Sequence, residues 1–265
     1  DYVRRYTDMP LLVRLVAKDG AYVPERLLRA SDFAGDLGQA NNPDWKTVSV
    51  DEATGKVVVP SGAIGFRWGE QGKWNLEEKD ADGRDVKLRL GLGGIHDGVV
   101  EVLFPYFANT AANGFAATDH PDVLMRRIPI KKLALKDGEA IVASVYDLFL
   151  ANYGVDQGFG GHHLPQSYDA LEPYSPAWAE AVTSVPRAQI IATARGFAAN
   201  AEKTNGRSMI IIGAAMNHWY HMDMNYRGVI NLLVMCGCVG QSGGGWSHYV
   251  GQEKLRPQSG WLPLA

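Results

Sequence analysis

Two stretches concentrate the residue types that do chemistry. The first is Gly213-Ala-Ala-Met-Asn217-His218-Trp-Tyr-His221. It follows Ser208 to Ile212, a short β-branched run that suits a buried parallel strand. In α/β sheets, ligands bind in the crevice beyond the carboxyl ends of the strands. Gly213 lets a ligand come close to the backbone, and Asn217 and His218 supply polar contacts just past the turn. A polar turn with a structural histidine fits the same residues, and the motif by itself does not separate the two.

The second stretch is Cys236-Gly-Cys238-Val-Gly240-Gln-Ser-Gly243-Gly244-Gly245-Trp246. Its glycines, following an apolar run, make a loop with free amides, which can line an anion pocket. No Lys-Ser or Lys-Thr follows, so this is not a P-loop, and glycines after a helix are not the dinucleotide fingerprint. A plain flexible turn meets the spacing equally. Gln241-Ser242-Gly243 resembles a nucleophile elbow only in part. His218 and His221 with Cys236 and Cys238 could be imagined around zinc. One residue between the cysteines is too few for usual zinc pairs and poor for a redox pair. Both cysteines read better as buried small hydrophobes. Glu77-Glu78 and the aspartates between 80 and 85 read as a solvated loop. No residue is assigned a catalytic or metal-ligating part.

The elements that must position these stretches change character near residue 145. Residues 1–145 are rich in Gly, Asp and short β-like runs, such as Val57-Val58-Val59 before Pro60 and the alternation from Lys87 to Leu90. Gly62, Gly65, Gly69 and Gly72 punctuate an aromatic stretch, and Ala108 to Ala117 reads as a loop. Residues 146–265 show a cleaner pattern. A helix opens at Tyr146 to Leu150, and a glycine- and histidine-containing loop runs from Gly154 to Pro165. Ser175-Pro176 is a helix start, since serine caps the free amides and proline at the first position loses no hydrogen bond. A second start is expected at Ser184 with Pro186, with an apolar face of Ile190, Ile191, Ala194, Phe197 and Ala198, ended by Asn205-Gly206. Asp223 is expected to cap a helix from about Met224 to Met235, which is apolar on most sides and so should be buried. Strand, glycine turn and helix make an α/β unit. The fold class is α/β, with a mixed, β-rich first half (1–145) and an αβα three-layer unit in the second (146–265).

The 265 residues are 46% hydrophobic and 21% charged, ordinary globular usage that can bury a sizeable core. A formal net charge of −3 leaves no basic footprint for nucleic acid. Short basic clusters such as Arg126-Arg127 and Lys131-Lys132 read as a solvated face. Two cysteines are too few for a disulfide framework. Asp1-Tyr2-Val3-Arg4-Arg5 leads into no apolar signal region, and no run reaches the roughly 18 residues of a membrane span. The abrupt opening without methionine is expected of an internal fragment rather than of a free-standing binding module.

The run from Gly213 through Asp223-Met-Asn-Tyr-Arg-Gly228 resembles the molybdopterin oxidoreductase family, in its respiratory nitrate reductase branch. So does Cys236 through Trp246-Ser-His-Tyr-Val-Gly-Gln-Glu-Lys-Leu-Arg-Pro-Gln-Ser-Gly-Trp261. Tyr174-Ser-Pro-Ala-Trp-Ala-Glu180, Arg4-Arg-Tyr-Thr-Asp8, Gly65-Phe-Arg-Trp-Gly69 and Gly72-Lys-Trp-Asn75 add to it. The resemblance implies a molybdenum atom held by two pterin guanine dinucleotides and two-electron reduction of nitrate to nitrite. It implies an iron–sulfur partner subunit, a haem-bearing membrane subunit, and a place at the cytoplasmic face of the membrane held through those partners. Gly213, Asn217 and His218 would lie beside the pterin cofactor. Gly240, Gly243 and Gly244 would shape the loop over it, with Trp246 nearby. The family's iron–sulfur ligand motif and its molybdenum-binding aspartate are absent from these residues. The expectation is therefore an internal part of a larger catalytic subunit, inactive alone and unable to retain the cofactor alone. A relative acting on another oxyanion, or oxidising nitrite, is the sister reading.

Overall fold

A computed structural model describes residues 2–37, 42–60, 80, 82–106 and 123–248. The aromatic stretch from Gly62 to Trp74, the loop Ala108 to Ala117 and the segment beyond His248 lie outside the described residues. The chain forms two compact units, Val3–Ala188 and Gln189–Ala265. The change of character at residue 145 is where the last barrel strand gives way to helix.

In the first unit, helix α1 (Tyr2–Tyr6) precedes strands β1 (Leu12–Lys18) and β2 (Ala21–Leu27). Asp19 and Gly20 join them with φ of 49° and 80°. Two successive positive φ angles match the twist that a two-residue hairpin needs, which is why Asp-Gly stands there. Strands β3 (Ser49–Val50) and β4 (Val57–Val58) pair separately. β5 (Gly98–Pro105), β6 (Val123–Leu135) and β7 (Gly138–Ser144) form an antiparallel run. β7 pairs with β1, and β2 pairs in parallel with β5, so the sheet closes into a five-stranded barrel. Val102, Leu124, Ile128 and Ala143 fill it, each fully shielded.

Helix α2 (Val145–Asn152) leaves β7 through Ser144, whose Oγ accepts from the Asp147 amide at 3.0 Å and donates to Asp147 Oδ2 at 2.8 Å. Arg126 stands at the other end of α2, donating from Nη1 to Ala151 O at 3.0 Å. An anion in the first turn and a cation at the last complement the helix dipole. Arg126 overturns the solvated-face reading of Arg126-Arg127. Strand alternation sends Leu124, Arg126 and Ile128 inward, and Arg126 is wholly buried while Arg127 is exposed. Helix α3 (Pro176–Thr183) starts as expected, with Ser175 Oγ accepting from the Trp178 amide at 3.0 Å.

The second unit carries most of α4 (Arg187–Thr204), then β8 (Met209–Ile212), α5 (Ala214–Asn217), α6 (Met222–Met235) and β9 (Gly245–His248). β8 and β9 are parallel, in register from Met209 opposite Gly245 to Ile212 opposite His248. A parallel pair requires a crossover, and α6 supplies it. Ala201 and Leu233, with Phe197, Ile210, Val229 and Trp246, make a small core. Asn205 and Gly206, at φ of 54° and 87°, end α4 as expected.

Three expectations fail here. Ser184 does not start α4. It closes α3 in the left-handed region at φ 61°. Asp223 is not the cap of α6, which follows His221 in the left-handed region and opens at Met222. Nor is α6 buried: Leu233 is its single buried residue, while Met224 and Ile230 are exposed. The helix is apolar on several faces, but among the described residues only one side finds a partner.

Candidate functional site

The parallel register decides which proposed residues meet. Ile212 ends β8 opposite His248, which ends β9. Gly213, Asn217 and His218 leave the sheet at this carboxyl edge, where α/β units bind ligands. Gly240, Gly243 and Gly244 precede β9 and so lie at the opposite edge, beside Gly245 and Met209. Three residue steps separate the edges, roughly 10 Å. The two stretches are thus held apart by the strands between them.

At the carboxyl edge, Asn217 Nδ2 and His248 Nε2 lie 3.2 Å apart. Tyr226, in the second turn of α6, packs edge-on to Trp246 at 4.9 Å and to His248 at 6.3 Å, and Trp246 and His248 lie nearly parallel. Trp246 and His248 share a face because strand side chains alternate with period two. Trp246 is therefore part of a strand rather than of the glycine loop. Two polar atoms here are shielded and unpaired: Asn217 Oδ1 and the Tyr226 hydroxyl. A shielded, unpaired polar atom costs about 1–3 kcal/mol, so the arrangement favours a partner that donates to the amide oxygen and pairs with the hydroxyl. Gly213 has open space where a side chain would begin, and His218 is exposed. Tyr226 and His248 were missed in the sequence reading. Their signal was the period-two step from Trp246 to His248 and the position of Tyr226 one helical turn after the start of α6.

The opposite edge is built by close backbone approach. A side chain on Gly244 would begin 2.1 Å from Gly206 O, and one on Gly206 would begin 2.2 Å from Gly237 O. Gly240 and Gly243, at φ of 81° and 85°, face open space. Gly240-Gln-Ser242-Gly-Gly244 has the letter spacing of a nucleophile elbow, but it runs from helix to strand, whereas an elbow runs from strand to helix. Both cysteines are free. Cys238 is fully buried, and burial, followed by the nearness of Cys238, pushes the Cys236 thiol above its ordinary range. Cys238 is the buried small hydrophobe expected, whereas Cys236 is only half-buried. Among the described residues no cluster of His, Cys, Asp and Glu is placed to hold a metal ion.

The first unit holds further buried ionisable groups, among them Asp147 and Arg126 at the two ends of α2. Burial pushes the Asp147 carboxyl up to about 6 and the Arg126 guanidinium down to about 10. Asp147 Oδ2 accepts from the Leu92 amide at 2.8 Å, and Oδ1 has no partner. These groups clamp α2, and no open crevice reaches them among the described residues.

Residues 62–259 match the model of the family described as molybdopterin oxidoreductase. The chain is 58% identical over its whole length to the respiratory nitrate reductase 1 alpha chain and 59% identical to the respiratory nitrate reductase 2 alpha chain, both of Escherichia coli (strain K12). It is 44% identical to the nitrate reductase alpha chain of Bacillus subtilis (strain 168). In each case the chain spans 21% of the relative's length.

Proposed function

The chain belongs to the molybdopterin oxidoreductase family, and from that premise we propose that it is an internal part of the catalytic subunit of a respiratory nitrate reductase. The single observation that carries this reading is end-to-end identity of 58% and 59% to two alpha chains of that name. The full protein would reduce nitrate to nitrite, working with an iron–sulfur subunit and a haem-bearing membrane subunit at the cytoplasmic face of the membrane. Among the described residues no helix is long and apolar enough to cross a membrane.

The carboxyl edge of β8 and β9 fits a pterin guanine dinucleotide. Pterin and guanine rings carry N–H donors, which the unpaired Asn217 Oδ1 would accept, and ring or ribose groups that could pair with the Tyr226 hydroxyl. The group supplies the two-electron redox chemistry of its molybdenum when bound. This chain's own part is to hold and orient it. Gly213 leaves the backbone approachable, Asn217 accepts, and His218 stands exposed beside them. Asn217 Nδ2 fixes the His248 ring. Gly240, Gly243 and Gly244 would act at one remove, turning the chain so that Trp246 and His248 reach that edge.

The test uses the full-length protein. Molybdenum per chain, guanine nucleotide released by acid and reduction of nitrate and chlorate are measured together. The expected result is stoichiometric molybdenum with nitrate reduction, and joint loss of molybdenum and nucleotide in Asn217→Ala. A full-length protein lacking molybdenum would overturn the reading. Full metal and nucleotide in Asn217→Ala would remove Asn217 from the site. Reduction of another oxyanion in preference to nitrate would move the protein to that sister activity.

A further inference from the structure

A cavity of about 310 Å³ opens in the first unit and is lined by that unit alone. Its apolar wall includes Phe33, Leu37 and Val59, and its polar lining includes Lys46, Lys136 and Asp36. Lys46 is unusual among them because only 5% of it is accessible. Its backbone is fixed on both sides. Lys46 O accepts from Ala30 N at 2.8 Å, and Lys46 N donates to Pro43 O at 3.3 Å. Asn42 Oδ1 accepts from Asp44 N at 3.0 Å and caps the turn Pro43–Trp45 that delivers the lysine.

The amine itself has no such support. Among the described residues no hydrogen bond or ion pair holds it, and it is not one of the shielded polar atoms left without a partner, so it is open to the cavity. Burial holds its pKa below the ordinary lysine range, and Asp36 opposes this only through space. Burial of the stem disfavours the charged form of the amine, and an anion brought to it offsets that. Asp32 does not serve, because Arg26 takes both its carboxylate oxygens at 2.8 Å. Lys136 is fixed at the rim by its amide, which donates to Asp32 O at 2.8 Å. Among the described lining residues two lysines stand against one aspartate. Its volume lies in the range of small-molecule sites, roughly 300–1,000 Å³. A strongly hydrated inorganic ion would gain nothing from Phe33, Leu37 and Val59, whereas an anion with an apolar body would cover them.

We propose that this cavity binds a small organic carboxylate, with its head at Lys46 and Lys136 and its apolar body against Phe33, Leu37 and Val59. This proposal stands apart from the cofactor reading, since it concerns other residues in the other unit.

Benzoate is the probe and benzamide its uncharged counterpart, each titrated calorimetrically into the full-length protein. Benzoate is expected to bind saturably with one site per chain, about tenfold or more tighter than benzamide, the margin of one charge-assisted contact. Lys46→Met keeps the length of the stem and removes the charge. It is expected to weaken benzoate about tenfold and to leave benzamide unchanged. Val59→Trp fills the apolar wall and is expected to abolish binding of both. Equal affinity for benzoate and benzamide, absence of saturable benzoate binding, or a folded Lys46→Met variant that binds benzoate as before would each overturn the proposal. The benzoate–benzamide comparison needs no variant, so it decides the matter even where Lys46→Met does not fold.

Discussion

In the barrel unit, Val102, Leu124, Ile128 and Ala143 are fully shielded, and each strand of the barrel finds a neighbour on both sides. In the strand–helix–strand unit, Met209, Ile211, Met224 and Ile230 remain exposed, and among the described residues the sheet has two strands. The difference lies in closure. A sheet closed on itself buries its inner face without outside help and leaves no free edge. Among the described residues, a two-stranded parallel pair with helical cover on the Ile210 side leaves the Ile211 side bare. The same division holds for polar groups. The barrel's buried ions sit at the ends of α2 and serve its own packing, while the second unit's unpaired atoms lie at the edge where a ligand would enter. A complete core and an incomplete one thus share a chain, and on the proposed reading the incomplete one is finished by cofactor and by the rest of the subunit.

The largest expected effect tests that division directly. Ile128→Ala opens a cavity in the closed barrel and should cost about 2–5 kcal/mol. Ile211, three-quarters exposed, should cost about 0.5 kcal/mol or less when changed to alanine, as surface positions do. Urea unfolding of the 265-residue chain, followed for each variant, reads both. Equal losses at the two positions would mean that the second unit hides Ile211 in solution, and the contrast between the units would collapse.

A smaller effect concerns the barrel's own imperfection. Asp147 has a folded pKa of about 6 because burial outweighs the bonds from Leu92 and Ser144. An unfolded aspartate titrates near 3.9. Between these values the folded chain keeps a proton that the unfolded chain has released. The stability tied to this carboxyl is therefore full below about pH 4 and is lost as pH rises through about 6. About two pKa units correspond to roughly 3 kcal/mol as an order of magnitude. Asp147→Asn should remove that slope and unfold at higher urea than the wild type at pH 7.5, with the two converging near pH 4. A wild-type stability flat from pH 4 to 7 would show the carboxyl to be ionised and paired, and the barrel to be better satisfied than its geometry indicates.

Much of this was legible in the residues for identifiable reasons. Ser175-Pro176 announces α3 because capping chemistry is local, and Asn205-Gly206 announces the end of α4 because positive φ selects those residues. Ser208 to Ile212 reads as a buried parallel strand from its β-branching; β8 is parallel, but Met209 and Ile211 are exposed, because burial depends on what covers the second face. Closure of the barrel was not legible, since it depends on a parallel pairing of β2 with β5 across long sequence separation. Arg126 was misjudged because a charged residue in an alternating strand looks solvated unless both faces are known. The glycine loop was assigned to the site because the resemblance named residues without saying which end of the strands they occupy. The register of β8 against β9 supplies that missing distance. Asn217 and His248, which the structure joins, lie 31 positions apart and have no local signature.

The smallest expected effect separates the two units most sharply. The Tyr226 hydroxyl is shielded and unpaired in this chain. Removing an unsatisfied group while keeping the ring costs nothing and can gain up to about 1 kcal/mol. Tyr226→Phe should therefore leave the isolated chain as stable as the wild type or slightly more so, with the edge-on packing against Trp246 unchanged. In the full-length protein the same substitution should lower guanine nucleotide content, because there the hydroxyl would have its partner. Opposite signs in the two settings are what a site completed from outside requires. A loss of stability in the isolated chain would show that the hydroxyl is satisfied internally, and the carboxyl edge of β8 and β9 would then be as self-sufficient as the barrel.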